Sequence, residues 1–139
     1  MSGFSSEWLS LRAPVDARAR NEEVTSAFLE RLPQDRPVRI VDLGSGTGAT
    51  VTALAPRVAA KQRWTLLDND EALLQIASGR AAEIAGLEIE TAVTDLSRGI
   101  DASAIEDADA VTTSAFLDLV SAEWIDALVA ALAERRLSF

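Results

Sequence analysis

The chain has no cysteine and no histidine among its 139 residues, and no tyrosine. Without cysteine there is no disulfide, no thiolate nucleophile and no thiolate metal site. Without histidine the commonest general base and metal ligand is missing. Chemistry must run on carboxylates, hydroxyls, amides and positioning, and no metal is expected. A signal-peptide pattern and an apolar run long enough to span a bilayer are also absent, so a soluble cytoplasmic protein is expected. Positive charge is scarce: 13 Lys and Arg stand against 22 Asp and Glu, for a net charge of −9 and a pI near 4.4. The basic residues are scattered, so a phosphate backbone would meet net repulsion and a nucleic-acid partner is disfavoured. The acidity reads first as solubility and only second as steering of a cationic substrate.

What is there suffices for one core: 48% of the residues are hydrophobic, in about one domain's length. The chain is organised around residues 39–50, RIVDLGSGTGAT. Val38, Ile40 and Val41 form a short β-branched apolar run, as a buried strand requires. Asp42 closes the run. Gly44, Gly46 and Gly48 alternate with Leu43, Ser45 and Thr47, which lets the backbone turn tightly and approach a ligand. Helical pattern resumes over Thr47–Leu54. A strand, a glycine turn and a helix with its first N–H groups facing the turn form a unit suited to nucleotide-like ligands.

Two ligand classes compete for that unit. Gly44, Gly46 and Ala49 satisfy the loose dinucleotide fingerprint, with Ala in the third glycine place. Asp42 weighs against it, because a carboxylate about 4 Å from a pyrophosphate costs up to ~4 kcal/mol at an effective dielectric of about 20. The same carboxylate suits a ligand bearing an ammonium group. Asp42-Leu-Gly-Ser-Gly-Thr-Gly48 resembles motif I of the class I S-adenosylmethionine-dependent methyltransferases, whose cofactor carries an ammonium and a sulfonium and no phosphate. The resemblance implies a doubly wound, mainly parallel Rossmann-like α/β sheet with helices on both faces. It also implies roles for Asp42 at the ammonium, directly or through water, and for Gly44, Ser45 and Gly46 as the backbone cradle.

The rest of the chain is read in that frame. Met1–Ser6 is a frayed start. Glu7–Leu32 is helical in two pieces broken near Pro14, and residues 1–36 form a packing segment or lid. In the resembling family the segment before motif I often covers the cofactor, which makes Trp8, Arg12, Arg18 and Arg20 candidates to touch ligand, an arginine pairing with the methionine carboxylate. Residues 37–139 form the cofactor-binding domain. Strand two, Arg63–Leu67, ends in Asp68, 24 positions beyond Gly44. An acid there is suited to both ribose hydroxyls of an adenosine ligand, with Asn69 beside it; Asp70 caps the following helix over Glu71–Ala85. Leu87–Val93 alternates with a period of two, as an outer strand does. Asp95 and Leu96 match the family's adenine-binding acid and its apolar neighbour. Asp107–Ser114 is strand four, after which Ser114 is the best-placed polar residue to face the transferable methyl, with Asp118 second. Ser121 caps the helix carrying Trp124, Leu128 and Leu132.

The family normally has seven strands. Four are legible, with Leu137–Phe139 at most beginning a fifth, so the chain is expected to be the amino-terminal part of a longer methyltransferase. Strand four would then have an uncovered edge that invites a homodimer. A small-molecule methyl acceptor is expected, and no membrane. Two alternatives remain at this stage: a nicotinamide-dependent oxidoreductase, disfavoured by Asp42 and by the absence of Tyr and His, and a non-catalytic cofactor-binding or interaction module.

Overall fold

Apolar residues on both faces of one strand set the architecture. In the computed structural model, which describes residues 5–139, β1 (Val38–Leu43) runs through the middle of the sheet. Val38 and Ile40 point into one core with Val51, Leu54, Trp64, Leu66 and Leu74. Val41 and Leu43 point into a second core with Leu67, Ile105, Val111, Trp124 and Leu128. A strand buried on both sides must be covered by helices on both sides, and that is how parallel sheets are built. The sheet order is β3–β2–β1–β4, all parallel, with β2 at Gln62–Asp68, β3 at Leu87–Val93 and β4 at Ala110–Thr113. β3 lies at the edge, as its alternating pattern predicts, and Val93 is 60% exposed there.

The helices are α1 (Ser6–Ala19), α2 (Glu22–Glu30), α3 (Ala49–Leu54), α4 (Glu71–Ala81) and α5 (Ala122–Arg135). The expected frayed start falls outside the described residues as far as position 4; Ser5 caps α1, accepting the Trp8 N–H, and Ser6 opens it. The break between the first two helices is not at Pro14. α1 runs through that proline and ends at Arg20, whose backbone is extended, and Asn21 then caps α2 by accepting the Val24 N–H. Pro14 and Ser10 are both exposed, so the carbonyl that the proline leaves without a helical partner stays in water. α4 stops at Ala81 rather than Ala85, and β4 is shorter than the predicted Asp107–Ser114. Asp109 is instead a clasp: its carboxylate accepts the Arg39 N–H at 2.9 Å and the Arg36 guanidinium at 2.6 and 3.1 Å.

The outer edge of β4 is not bare. Ser138 turns back beside it, its carbonyl accepting the Val111 N–H at 2.9 Å in an isolated parallel bridge with Ala110. No helix among the described residues is long and apolar enough to cross a membrane.

One buried polar chain holds the first core in register. Trp64, fully buried, donates its indole N–H to Gln62 Oε1 at 2.8 Å, and Gln62 Nε2 donates to the Ala55 carbonyl at 2.8 Å. The Gln62→Leu substitution keeps the volume but strands both partners, and is expected to lower stability by about 2–5 kcal/mol. Urea unfolding measures it; a loss under about 1 kcal/mol would mean that water takes over both bonds.

Candidate functional site

The carboxyl ends of β1, β2 and β4 open into one cavity of about 410 Å³, closed on the far side by α1. Its floor is the glycine turn. Gly44, Gly46 and Gly48 have φ of +67°, +54° and +86°, a region that residues with a Cβ rarely adopt. Close packing also demands glycine at two of them: a Cβ at Gly44 would lie 2.8 Å from the Phe116 ring, and one at Gly48 would lie 3.0 Å from the Ala77 methyl.

Four N–H groups of this turn donate within the chain. Gly44 and Ser45 both donate to the Leu67 carbonyl at 2.8 and 3.1 Å, Gly46 donates to Asp68 Oδ2 at 2.8 Å, and Gly48 donates to the Ser45 carbonyl at 3.0 Å. The turn is therefore stitched to the end of β2. Those four N–H groups are thereby taken up within the chain.

Carboxylates surround the turn instead. Asp68 lines the cavity, its Oδ2 on Gly46 and its Oδ1 accepting the Asp70 N–H at 3.0 Å. Each oxygen of a carboxylate has a second acceptor position, so both remain able to take a hydroxyl. Asn69 lines the cavity beside it, and Asp70 caps α4, accepting the Leu73 N–H. Asp95 and Leu96 line the far side. Asp95 also caps the short 3₁₀ turn that follows: the Ser97 hydroxyl and N–H hold its carboxyl below the usual range, and Arg98 lies 3.4 Å away. Leu96 is fixed by its carbonyl, which accepts the Trp124 indole N–H at 2.6 Å.

Asp42 is placed differently. It is 1% exposed and does not line the cavity. It sits in register with Thr112 of β4, whose hydroxyl donates to its Oδ1 at 2.8 Å. Burial pushes its pKa up to about 6, against the pull of the Thr112 and Ser45 hydroxyls and the Arg20 charge; the Asp68 charge adds to the rise.

Ser114 lines the cavity and is exposed, whereas Asp118 does not line it; Phe116, Leu119 and Val120 supply that wall. Of the four candidates on the first helix, Arg12 and Arg20 reach the cavity and Trp8 and Arg18 do not. Arg12 is engaged with Asp16 through two hydrogen bonds of 2.8 and 3.1 Å and lies over the Trp8 ring. Arg20 donates to the Thr50 hydroxyl at 3.1 Å. Sequence reasoning missed Leu9, Asp16, Phe116 and Arg80. Leu9 and Asp16 share the i, i+3, i+4 spacing of Arg12 and Arg20, a signal that was present; Phe116 and Arg80 reach the turn only through the tertiary fold.

A parallel α/β sheet with a glycine turn at its first strand, and an acid at the end of its second, defines a Rossmann-like domain. Residues 40–135 match the family described as Methyltransferase domain, and the chain belongs to that family. It is similar to release factor glutamine methyltransferase of Coxiella burnetii, 37% identical over 80 residues, covering 54% of this chain and 28% of that protein. Among solved structures it resembles the S-adenosylmethionine-dependent methyltransferase SibL in its apo form (TM-score 0.57, 22% identity, 91% of this chain and 33% of that one). It also resembles a methyltransferase from Geobacter sulfurreducens crystallised with S-adenosyl-L-homocysteine (TM-score 0.56, 18% identity, 86% and 50%). At these identities the structures show a shared fold, and the chain spans half or less of each protein.

The buried acid has a stability consequence. Between about pH 4 and 6 the folded chain holds a proton on Asp42 that the unfolded chain has lost, so this group's contribution falls as pH rises through that window. The Asp42→Asn variant should lack that slope and gain up to about 3 kcal/mol over the parent above the window. Urea unfolding of both proteins from about pH 4 to 8 tests it; parallel stability curves would mean that the carboxyl titrates normally.

Proposed function

We propose that the chain binds S-adenosylmethionine in this cavity and carries the cofactor site of a methyltransferase acting on a small-molecule acceptor. The observation that carries the reading is the set of acids about the turn: Asp68 and Asp95 line the cavity and Asp42 lies buried beneath its floor. Gly44, Ser45, Gly46 and Gly48 all donate within the chain, and Asp42, Asp68 and Asp95 around the floor would repel a diphosphate. The same arrangement fits a ligand with an ammonium, two ribose hydroxyls, an adenine amino group and no phosphate.

The residues then divide the work. Asp68 accepts the ribose hydroxyls through its remaining lone pairs, and Asn69 lies beside it. Asp95 accepts the adenine amino group while Leu96 packs on the ring. Asp42 supplies negative charge from beneath the turn to the ammonium, through water rather than by contact, since it does not line the cavity. Arg20 faces the carboxylate of the amino-acid moiety, and Ser114 stands on the acceptor side. When bound, the cofactor supplies an already activated methyl group. What remains for the protein is orientation and exclusion of water, and a dedicated base is needed only for an acceptor that must lose a proton. That matches a chain without histidine or cysteine. A cytoplasmic location belongs to the same proposal.

Calorimetric titration separates the candidates. S-adenosylhomocysteine should bind and NAD should not, and Asp68→Asn should weaken binding by about ten- to a hundredfold. NAD binding without the nucleoside would favour an oxidoreductase, and binding of neither would favour an interaction module.

A further inference from the structure

The face of α1 that lines the cavity is mixed: Leu9, Ala13 and Ala17 lie among Arg12, Asp16 and the Arg20 that follows the helix. The opposite face carries Glu7, Trp8, Leu11, Pro14, Val15 and Arg18, all exposed. Leu11 is 80% and Val15 57% exposed, and α1 buries no residue at all. An ordinary surface helix turns its apolar side chains to the protein, whereas α1 leaves these in water.

We propose that this outer face of α1 is where two copies of the chain meet, as an antiparallel helix pair about a two-fold axis. The order of charge along the stripe selects a second copy as the occupant. Glu7 stands at the amino end and Arg18 at the carboxyl end, with Leu11, Pro14 and Val15 between them, and neither charge belongs to an ion pair among the described residues. A two-fold contact is self-complementary: what residue i meets on the other copy, that residue's twin meets here. With Leu11 of each copy facing Pro14 of the other, Glu7 of each faces Arg18 of the other, since both pairs of numbers share one midpoint. A parallel pairing would set Glu7 on Glu7 and Arg18 on Arg18. The stripe is also locally neutral on a chain whose net charge is −9, so two copies approach there with least repulsion.

The sheet edges serve less well. Ser138 covers part of β4, and β3 carries the exposed Glu90 along its open edge, with Glu88 paired to Arg63 of β2. One pair of helices buries less than the roughly 1,200–2,000 Å² of a standard interface, so the dimer is weak and forms at high protein concentration. It does not depend on the proposed cofactor, although it would steady the helix that closes the cavity.

Sedimentation velocity of the full chain over rising concentration tests the pairing, with circular dichroism confirming that each variant is folded. The parent protein should double in mass as concentration rises. Leu11→Asp and, independently, Val15→Asp should remain monomeric. Glu7→Arg should weaken association at least tenfold, and adding Arg18→Glu to it should restore the dimer. A parent that stays monomeric throughout would overturn the proposal. So would a dimer that survives both aspartate substitutions, which would put the contact on a sheet edge. Failure of the double charge reversal to restore association would remove the antiparallel pairing.

Discussion

The bond from the Gly46 N–H to the Asp68 carboxylate, with the paired Gly44 and Ser45 bonds to the Leu67 carbonyl, is the constraint on which the site depends. It joins the turn after β1 to the end of β2. The two strands are already in parallel register from Val38 opposite Gln62 to Leu43 opposite Leu67, so the turn inherits its position from the ladder. Four of the turn's N–H donors are taken up within the chain, and the Asp68 carboxylate beside them presents acceptors to the cavity. A glycine turn of similar sequence with its N–H groups facing outward would be an anion site.

Asp42 shows how binding and stability pull against each other. A carboxylate on the core side of β1, 1% exposed, is held by one hydroxyl from the neighbouring strand. Desolvation raises its pKa to about 6, so its charged form is disfavoured by the fold around it. An apolar residue would pack there with less penalty. A negative charge beneath the turn becomes useful only when a cation sits above it, which is why this acid makes more sense as part of a ligand site than as part of the core.

α1 is a cover of a different kind from the rest of the structure. It buries nothing, yet five of its side chains line the cavity together with the Arg20 that follows it. α2 is tied down by the Glu22–Arg57 ion pair and by Phe28 and Leu29 against the first core. The junction at Arg20 and Asn21 therefore separates a helix anchored in the core from one that rests on the site. The expected break at Pro14 failed because proline damages a helix through its own missing N–H, and on an exposed face that loss is small.

Much of the site was legible in the residues themselves. Glycine where φ is positive, an acid at a strand end, alternation in β3 and caps at Asp70 and Ser121 are local requirements, and local chemistry writes them into the sequence. Gly44, Ser45, Gly46, Asp68 and Asn69 reach the cavity in keeping with those requirements, and Asp95, Leu96 and Ser114, assigned through the resemblance to the methyltransferases, reach it too. The sequence by itself marked the strands, the glycine turn and the acids at the strand ends, since strand burial and backbone conformation each restrict residue type, and the parallel order came with the resemblance to the methyltransferases. Only the tertiary structure decided that Asp42 lies beneath the floor, that Phe116 roofs Gly44, that Arg80 reaches Thr47, and that Ser138 takes the edge of β4. Those facts join segments distant along the chain, and no local residue preference encodes which distant partner a side chain will meet.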